Sequence, residues 1–577
     1  MIVLVAVSPK PPRTVQYHPP GQEAPAHRAP MYTTANSGAW SGKMVLLYEI
    51  IPEWQPAIRI SRVRKKMVFS SITFLFLFLP IVLGIYHLVF FLPITLGSRN
   101  PIWWRLSNLF LLLTSLVFYF WGEKFLVWIF IVTTFIDYLS ALIMSRAVLD
   151  ASFAQLPENG RREAWQKAVL TISICSNLAL LAYFKYFNFG VTTYNSVMQV
   201  VGFGALQWKS AATVALPLGI SFFTFHSMSY TIDVYRGRVR PTRSFIDYAC
   251  YVLMFPQLVA GTIVRYSYVA KSLVARVVSV RYFASGAARF ILGLSKKVLV
   301  ANTVAIAADK IFALPAGDLT PGIAWLGVLA YTIQIYFDFS GYSDMAIGLG
   351  RMFGFELPQN FNYPYIAGSV REFWHRWHIS LSTWFQDYLY IPLGGSRGSE
   401  SRTYFNLVTV FFLCGLWHGA NWTFVVWGLY HGLFLVLERL PAFSARLKHP
   451  GAWGHVYTLL VVMGGWVLFR ADSFSQATSF FSAMAGLSSG RSAYSAGWFL
   501  STDVLVAMIA GIAFSAPILH FTGEWLDGFV SSVGTRARSR LVPALAFARV
   551  AGLVLMLFVC SLSLASGTHN PFIYFRF

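Results

Sequence analysis

The strongest constraint on this chain is its succession of apolar runs. Most are about 20 residues long, the length of helix that crosses a hydrocarbon core. The first, MVFSSITFLFLFLPIVLGIYHLVFFLPI, starts at Met67. Others follow at about 106–121, 125–144, 168–187, 212–233, 245–264, 284–307, 322–350, 404–437, 456–470, 503–521 and 544–566. Inside a bilayer no water pairs with the backbone, so each span must satisfy its own hydrogen bonds as a helix. The runs are continuous and do not show the ten-residue alternation of an outer-membrane barrel. They predict an all-α polytopic membrane protein with about 11 to 13 spans.

Charge placement supports this reading. Only 12% of residues are charged, against roughly 25% in a soluble domain. The net charge of +22 would suit nucleic acid, but the basic residues sit in short loops between apolar runs. Loop 145–167 holds Arg146, Arg161, Arg162 and Lys167, and loop 236–244 holds Arg236, Arg238, Arg240 and Arg243. The intervening loops carry one lysine each, Lys124 and Lys209. The positive-inside rule places the arginine-rich loops in the cytoplasm and leaves membrane lipid, not nucleic acid, as the surroundings. Cys175, Cys250, Cys414 and Cys560 are scattered without metal-site spacing and read as packing residues.

Residues 1–66 differ from the rest. They are proline-rich (PKPPRTVQYHPPGQEAP) and contain no run able to span. They read as a disordered extension. The cluster Arg62, Arg64, Lys65 and Lys66 conflicts with the sidedness counted back from the later loops, and the conflict vanishes if translation starts at Met67. The expected organisation is a dispensable extension over 1–66 and one transmembrane domain over 67–577.

Chemistry concentrates between Asn360 and His431, where four histidines, His375, His378, His418 and His431, stand in apolar surroundings. His418 lies in LWHGANWTFVVWG among Trp417, Trp422 and Trp427. A desolvated imidazole stays neutral and can take a proton from a hydroxyl. On a continuous helix Asn421 would share its face and could orient the ring or steady an oxyanion. The bland alternative is a histidine bonded to a carbonyl inside a bundle. His431 lies 13 residues on, roughly 20 Å along an unbroken helix, and reads as structural. His375 and His378 are at i, i+3 without the glutamate of the zinc-protease pattern, and Arg371 and Arg376 would oppose a bound cation, so no metal is expected. Arg371, Arg376 and Arg397 with Trp374 suit an anionic, ring-bearing ligand; the alternative is an interfacial aromatic belt. Asp338 and Asp344 lie in or beside a span, and Gly341, Gly348 and Gly350 allow close helix packing. P-loop, Rossmann and serine-elbow signatures are absent.

Several long segments in order, LPLGISFFTFHSMSYTIDVYRG, FDFSGYSDMAIGLGRMFGFELPQNFNYPY, REFWHRWHISLSTWFQDYLYIPLGG and LWHGANWTFVVWGLYHG, resemble the membrane-bound O-acyltransferase (MBOAT) family and its bacterial alginate O-acetylation branch. The resemblance covers 67–577 almost end to end. It implies a ring of helices and re-entrant segments around a central tunnel. It implies that His418 is the intramembrane catalytic histidine and His378 the second, cytoplasm-facing one. It also implies acetyl-CoA as acyl donor, with no bound cofactor, and location in a bacterial inner membrane. The acceptor would be an exopolysaccharide, reached directly or through a periplasmic SGNH-like or AlgX-like acetyltransferase. Three positions depart from the family pattern: Gln386 where arginine is usual, Thr262 where proline is usual, and His226 where glutamine is usual. Two other readings stay open: an acyltransferase for teichoic acid, peptidoglycan, lipid or protein, and a carrier without bond chemistry.

Overall fold

Apolar runs flanked by basic or glycine-rich breaks become helices, and helices make up the ordered structure of the computed structural model. It describes residues 67–95, 102–146, 155–158, 160–258, 261–447, 451–488, 493–567 and 570–571. The expectation for residues 1–66 lies outside them. Among the described residues, seven helical stretches are long and apolar enough to cross a membrane, or nine if two bent helix pairs each count as one span.

That is fewer than the 11 to 13 runs suggested, for a physical reason. Several runs break into helices too short to cross. The 212–233 run becomes Ile220–Arg236, and the 245–264 run becomes Phe245–Leu253 and Phe255–Leu258. The run at 404–437 folds into two helices, Glu400–His418 and Trp422–Leu437. One long stretch, Ile102–Met144, is itself divided at Lys124, whose φ of 50° ends one helix before the next starts.

The two arginine-rich loops lie together. Arg162 donates to the Tyr235 carbonyl at 2.5 Å, and Arg238 lies 3.8 Å from Glu158.

The centre is the fully buried stretch of the helix Pro321–Met352, packed against Val280–Ser295. Small residues let these backbones touch. A Cβ on Gly293 would lie 2.5 Å from the Gly341 carbonyl oxygen, and one on Gly348 would lie 2.6 Å from that of Gly286. The acids of the central helix are paired. Asp344 takes Arg289 at 2.9 Å and Lys296 at 2.7 Å. Asp338 pairs with Lys297 at 2.6 Å, both side chains almost fully buried. Cys250, Cys414 and Cys560 are buried free thiols, and Cys175 is exposed.

Candidate active site

The site is built on a helix that stops at His418. Gly419 leaves it in extended conformation (φ −163°), and Asn421 caps the next helix by accepting from the Thr423 amide at 3.2 Å. The two helices fold back tightly. A Cβ on Gly415 would lie 2.4 Å from the Phe424 carbonyl oxygen, and one on Gly428 2.2 Å from that of Phe411. Only glycines permit this approach, and it brings Trp427 back beside His418.

His418 therefore sits in an aromatic box. Its ring centroid is 4.8 Å from Trp417, 4.9 Å from Trp427 and 5.2 Å from Phe469. It is 7% exposed, whereas His378 and His431 are 0% exposed. Among the described residues its ring has no hydrogen-bond partner. It is thus a nearly buried imidazole with free nitrogens and an opening.

Two helical expectations are corrected here. Because the helix ends at His418, Asn421 does not share its face; the Asn421 side chain is committed to its cap and donates to the Asp472 carbonyl at 3.2 Å. Nor is His431 a helix length away. It lies across Trp427 from His418, with ring centroids 5.1 Å from Trp427 and 5.2 Å from Trp374. The sequence contains the missed signal: an asparagine directly ahead of an apolar run is an N-cap.

His378 reaches the other side of Trp417, 6.2 Å between centroids. It joins the helices Val370–Arg376 and Ile379–Phe385 in a left-handed conformation, φ 44° and ψ 53°. For a non-glycine residue this costs on the order of 1–3 kcal/mol. Asn360 holds it there. The Asn360 carbonyl accepts from the Ile379 amide at 2.9 Å. Its side-chain nitrogen donates to the Gly261 carbonyl and to Ser343, and its side-chain oxygen accepts from Ser380 Oγ at 2.8 Å and the Ser380 amide at 3.3 Å. The same oxygen faces His378 Nδ1 at 3.1 Å. A carbonyl only accepts and a backbone amide only donates, so the Asn360 amide has one orientation. Nδ1 of His378 therefore carries the proton and Nε2 keeps its lone pair. Nε2 is buried without a hydrogen-bond partner among the described residues. Asn360 opens the histidine-rich stretch, yet nothing local marks its role, because its partners come from three distant segments.

Beside this wall lies a cavity of about 310 Å³. Arg371, Trp374, His375, Gln386, Cys414 and Arg439 are among its lining residues. Cys414 is one helical turn before His418, and Trp374 touches Trp427 at 5.7 Å between centroids, so the cavity points at the His418 box. Two expected members are elsewhere. Arg376 pairs with Glu372 at 2.8 Å and donates to the Asn362 carbonyl, and Arg397 is an exposed residue outside the lining. Arg439, one of the cations present instead, follows the end of an apolar run and carries no local signal. Of the departures from the family pattern, Gln386 lines the cavity, while His226 is a buried ring whose Nε2 accepts from the Val264 amide at 3.0 Å.

An all-helical, multi-pass membrane protein with two buried histidines beside one tryptophan, one of them still 7% exposed, has the form of an intramembrane group-transfer enzyme. A family model described as MBOAT, membrane-bound O-acyltransferase family, matches residues 116–479, and the chain belongs to that family; it is an O-acyltransferase. It is 42% identical to the Probable alginate O-acetylase AlgI of Azotobacter vinelandii, over 89% of this chain and 100% of that protein. It is 46% identical to the protein of the same name in Pseudomonas aeruginosa, over 72% of this chain and 75% of that one. It is also 36% identical to a Peptidoglycan O-acetyltransferase of Helicobacter pylori, over 73% and 80%.

Proposed function

We propose that the chain sits in a bacterial inner membrane and transfers acetyl from cytoplasmic acetyl-CoA to hydroxyls of an alginate-like exopolysaccharide, directly or through a periplasmic acetyltransferase of the SGNH or AlgX type. The observation that carries the chemistry is His418: buried among three aromatic rings, unpartnered, and still 7% exposed. Likeness over most of the chain to two proteins named alginate O-acetylase supports the acceptor class.

In this reading the donor enters by the 310 Å³ cavity. Arg371 and Arg439 meet its phosphates, and Trp374 offers a ring face. His418 takes the proton of the acceptor hydroxyl as that oxygen attacks the thioester carbonyl. The carbon–sulfur bond then breaks, and the thiolate leaves with the proton His418 had taken. The products are an acetyl ester and free CoA. His378, whose buried Nε2 keeps its lone pair, positions the donor. Asn421 serves by fixing the turn after His418 and not as an oxyanion donor, since its side chain is already engaged.

A second acceptor, peptidoglycan, is favoured by the likeness to the Helicobacter pylori protein. The test is to supply membranes containing the chain with acetyl-CoA labelled in the acetyl group, together with alginate or peptidoglycan. Label in alginate with release of free CoA thiol supports the proposal. Label in peptidoglycan alone moves the acceptor, and no CoA release with either polymer overturns the acetyl-CoA reading.

A further inference from the structure

The helix that ends at His418 leaves its last carbonyls without intrahelical donors. Gly419 still reaches back to the Gly415 carbonyl at 3.4 Å. The next three carbonyls, of Leu416, Trp417 and His418, have no amide four residues on to serve them, because the chain has left the helix. Such groups inside a membrane protein cost several kcal/mol each if unpaired, in round terms.

All three are met by two consecutive residues of one other helix, Ala164–Val200. Lys185 Nζ donates to the Trp417 carbonyl and, at 3.1 Å, to that of His418. Tyr186 Oη donates to the Leu416 carbonyl. Lys185 is 8% exposed and carries its ammonium 5.6 Å from the centroid of the Trp417 ring. A cation at a helix C-terminus also complements the helix dipole. A lysine inside an apolar run is costly in a membrane and marks function more often than packing.

We infer that Lys185 and Tyr186 form a clamp that positions the His418 turn, with Lys185 a positioning residue for acyl transfer. The clamp holds three successive carbonyls, so it fixes both the height and the rotation of the last helical turn. It thereby sets where the imidazole points. The Lys185 ammonium touches the backbone of His418 and Trp417 and does not line the cavity assigned to the donor. Its loss should therefore lower turnover without weakening donor binding. The inference rests on His418 being the base.

The experiment uses the full chain in detergent, with acetyl-CoA and alginate, and compares Lys185→Met, Lys185→Arg, Tyr186→Phe and His418→Gln with wild type. Rates are normalised to folded protein measured by size-exclusion and thermal unfolding. Expected results are a kcat at least tenfold lower for Lys185→Met with KM for acetyl-CoA within twofold, partial recovery in Lys185→Arg, and a several-fold fall in kcat for Tyr186→Phe. If Lys185→Met does not fold, Tyr186→Phe, which retains the ammonium and loses one carbonyl bond, decides by the same split. Wild-type kcat per folded molecule in the decisive variant, or a KM rise that accounts for the loss, overturns the clamp. An active His418→Gln overturns the base assignment instead, and a dead His418→Gln beside an active clamp variant sinks the clamp alone.

Discussion

Replacing Asn360 by alanine tests how the second histidine is held. The side chain makes bonds to His378 Nδ1, to Ser380 Oγ and its amide, to the Gly261 carbonyl and to Ser343 Oγ, and it is 1% exposed. The serine hydroxyls can rotate to other acceptors. The His378 Nδ1–H, the Ser380 amide and the Gly261 carbonyl cannot, and each buried orphan costs about 1–3 kcal/mol, so the substitution should cost about 3–9 kcal/mol. Only the backbone bond from the Ile379 amide to the carbonyl of residue 360 then remains to oppose release of the left-handed backbone at His378, which would turn its Nε2 away. A misplacement worth only about 1.4 kcal/mol in the transition state is tenfold in rate. The assay pairs thermal unfolding in detergent with acetyl transfer to polymer. The expected result is a lower melting temperature together with at least a tenfold loss of kcat/KM. Asn360→Asp should keep the acceptor for His378 but set an oxygen against the Gly261 carbonyl, and should fall between alanine and wild type in activity. An alanine variant matching wild type in both measurements would refute the argument that Asn360 fixes His378.

Other parts of the structure make equally definite predictions. Arg371→Ala and Arg439→Ala should each raise KM for acetyl-CoA about ten- to a hundredfold with little change in kcat, the worth of one charge-assisted bond; Arg397→Ala, outside the cavity, should leave KM within twofold. Lys297→Met removes the buried ion pair with Asp338 and should destabilise the protein by about 3–5 kcal/mol; thermal unfolding of the variant checks it. Gly428→Ala puts a Cβ 2.2 Å from the Phe411 carbonyl oxygen. It should destabilise the hairpin by about 1–3 kcal/mol and depress turnover, since the hairpin brings Trp427 to His418.

What the sequence made legible follows from which interactions are local. Membrane-length apolar runs are local, so the all-helical polytopic class could be read directly. The glycines at 341 and 348 are small residues a helical repeat apart, and the close helix contact they permit is present. His418 and His378 stood out because polar groups are rare in such surroundings, and they do come together around Trp417. What stayed hidden depends on chain reversal. The break after His418 is encoded by Asn421 and its cap, yet a continuous apolar run masks it, and from that one misreading came both the shared face of Asn421 and the distance to His431. Arg439 joins a cavity lined by residues far away in sequence, and Asn360 bonds to partners on other segments. Lys185 was visible as a cation inside an apolar run, but its partners are carbonyls exposed only where another helix ends.

The central claim is that His418 is the base of an acyl transfer, and its most direct test is acetyl transfer from labelled acetyl-CoA by His418→Ala in membranes. A general base contributes about 10²–10⁴-fold. The account predicts a fall of at least about a hundredfold in both labelled ester and released CoA, with donor binding and melting temperature close to wild type. Labelled ester at wild-type rate from the alanine variant would contradict it.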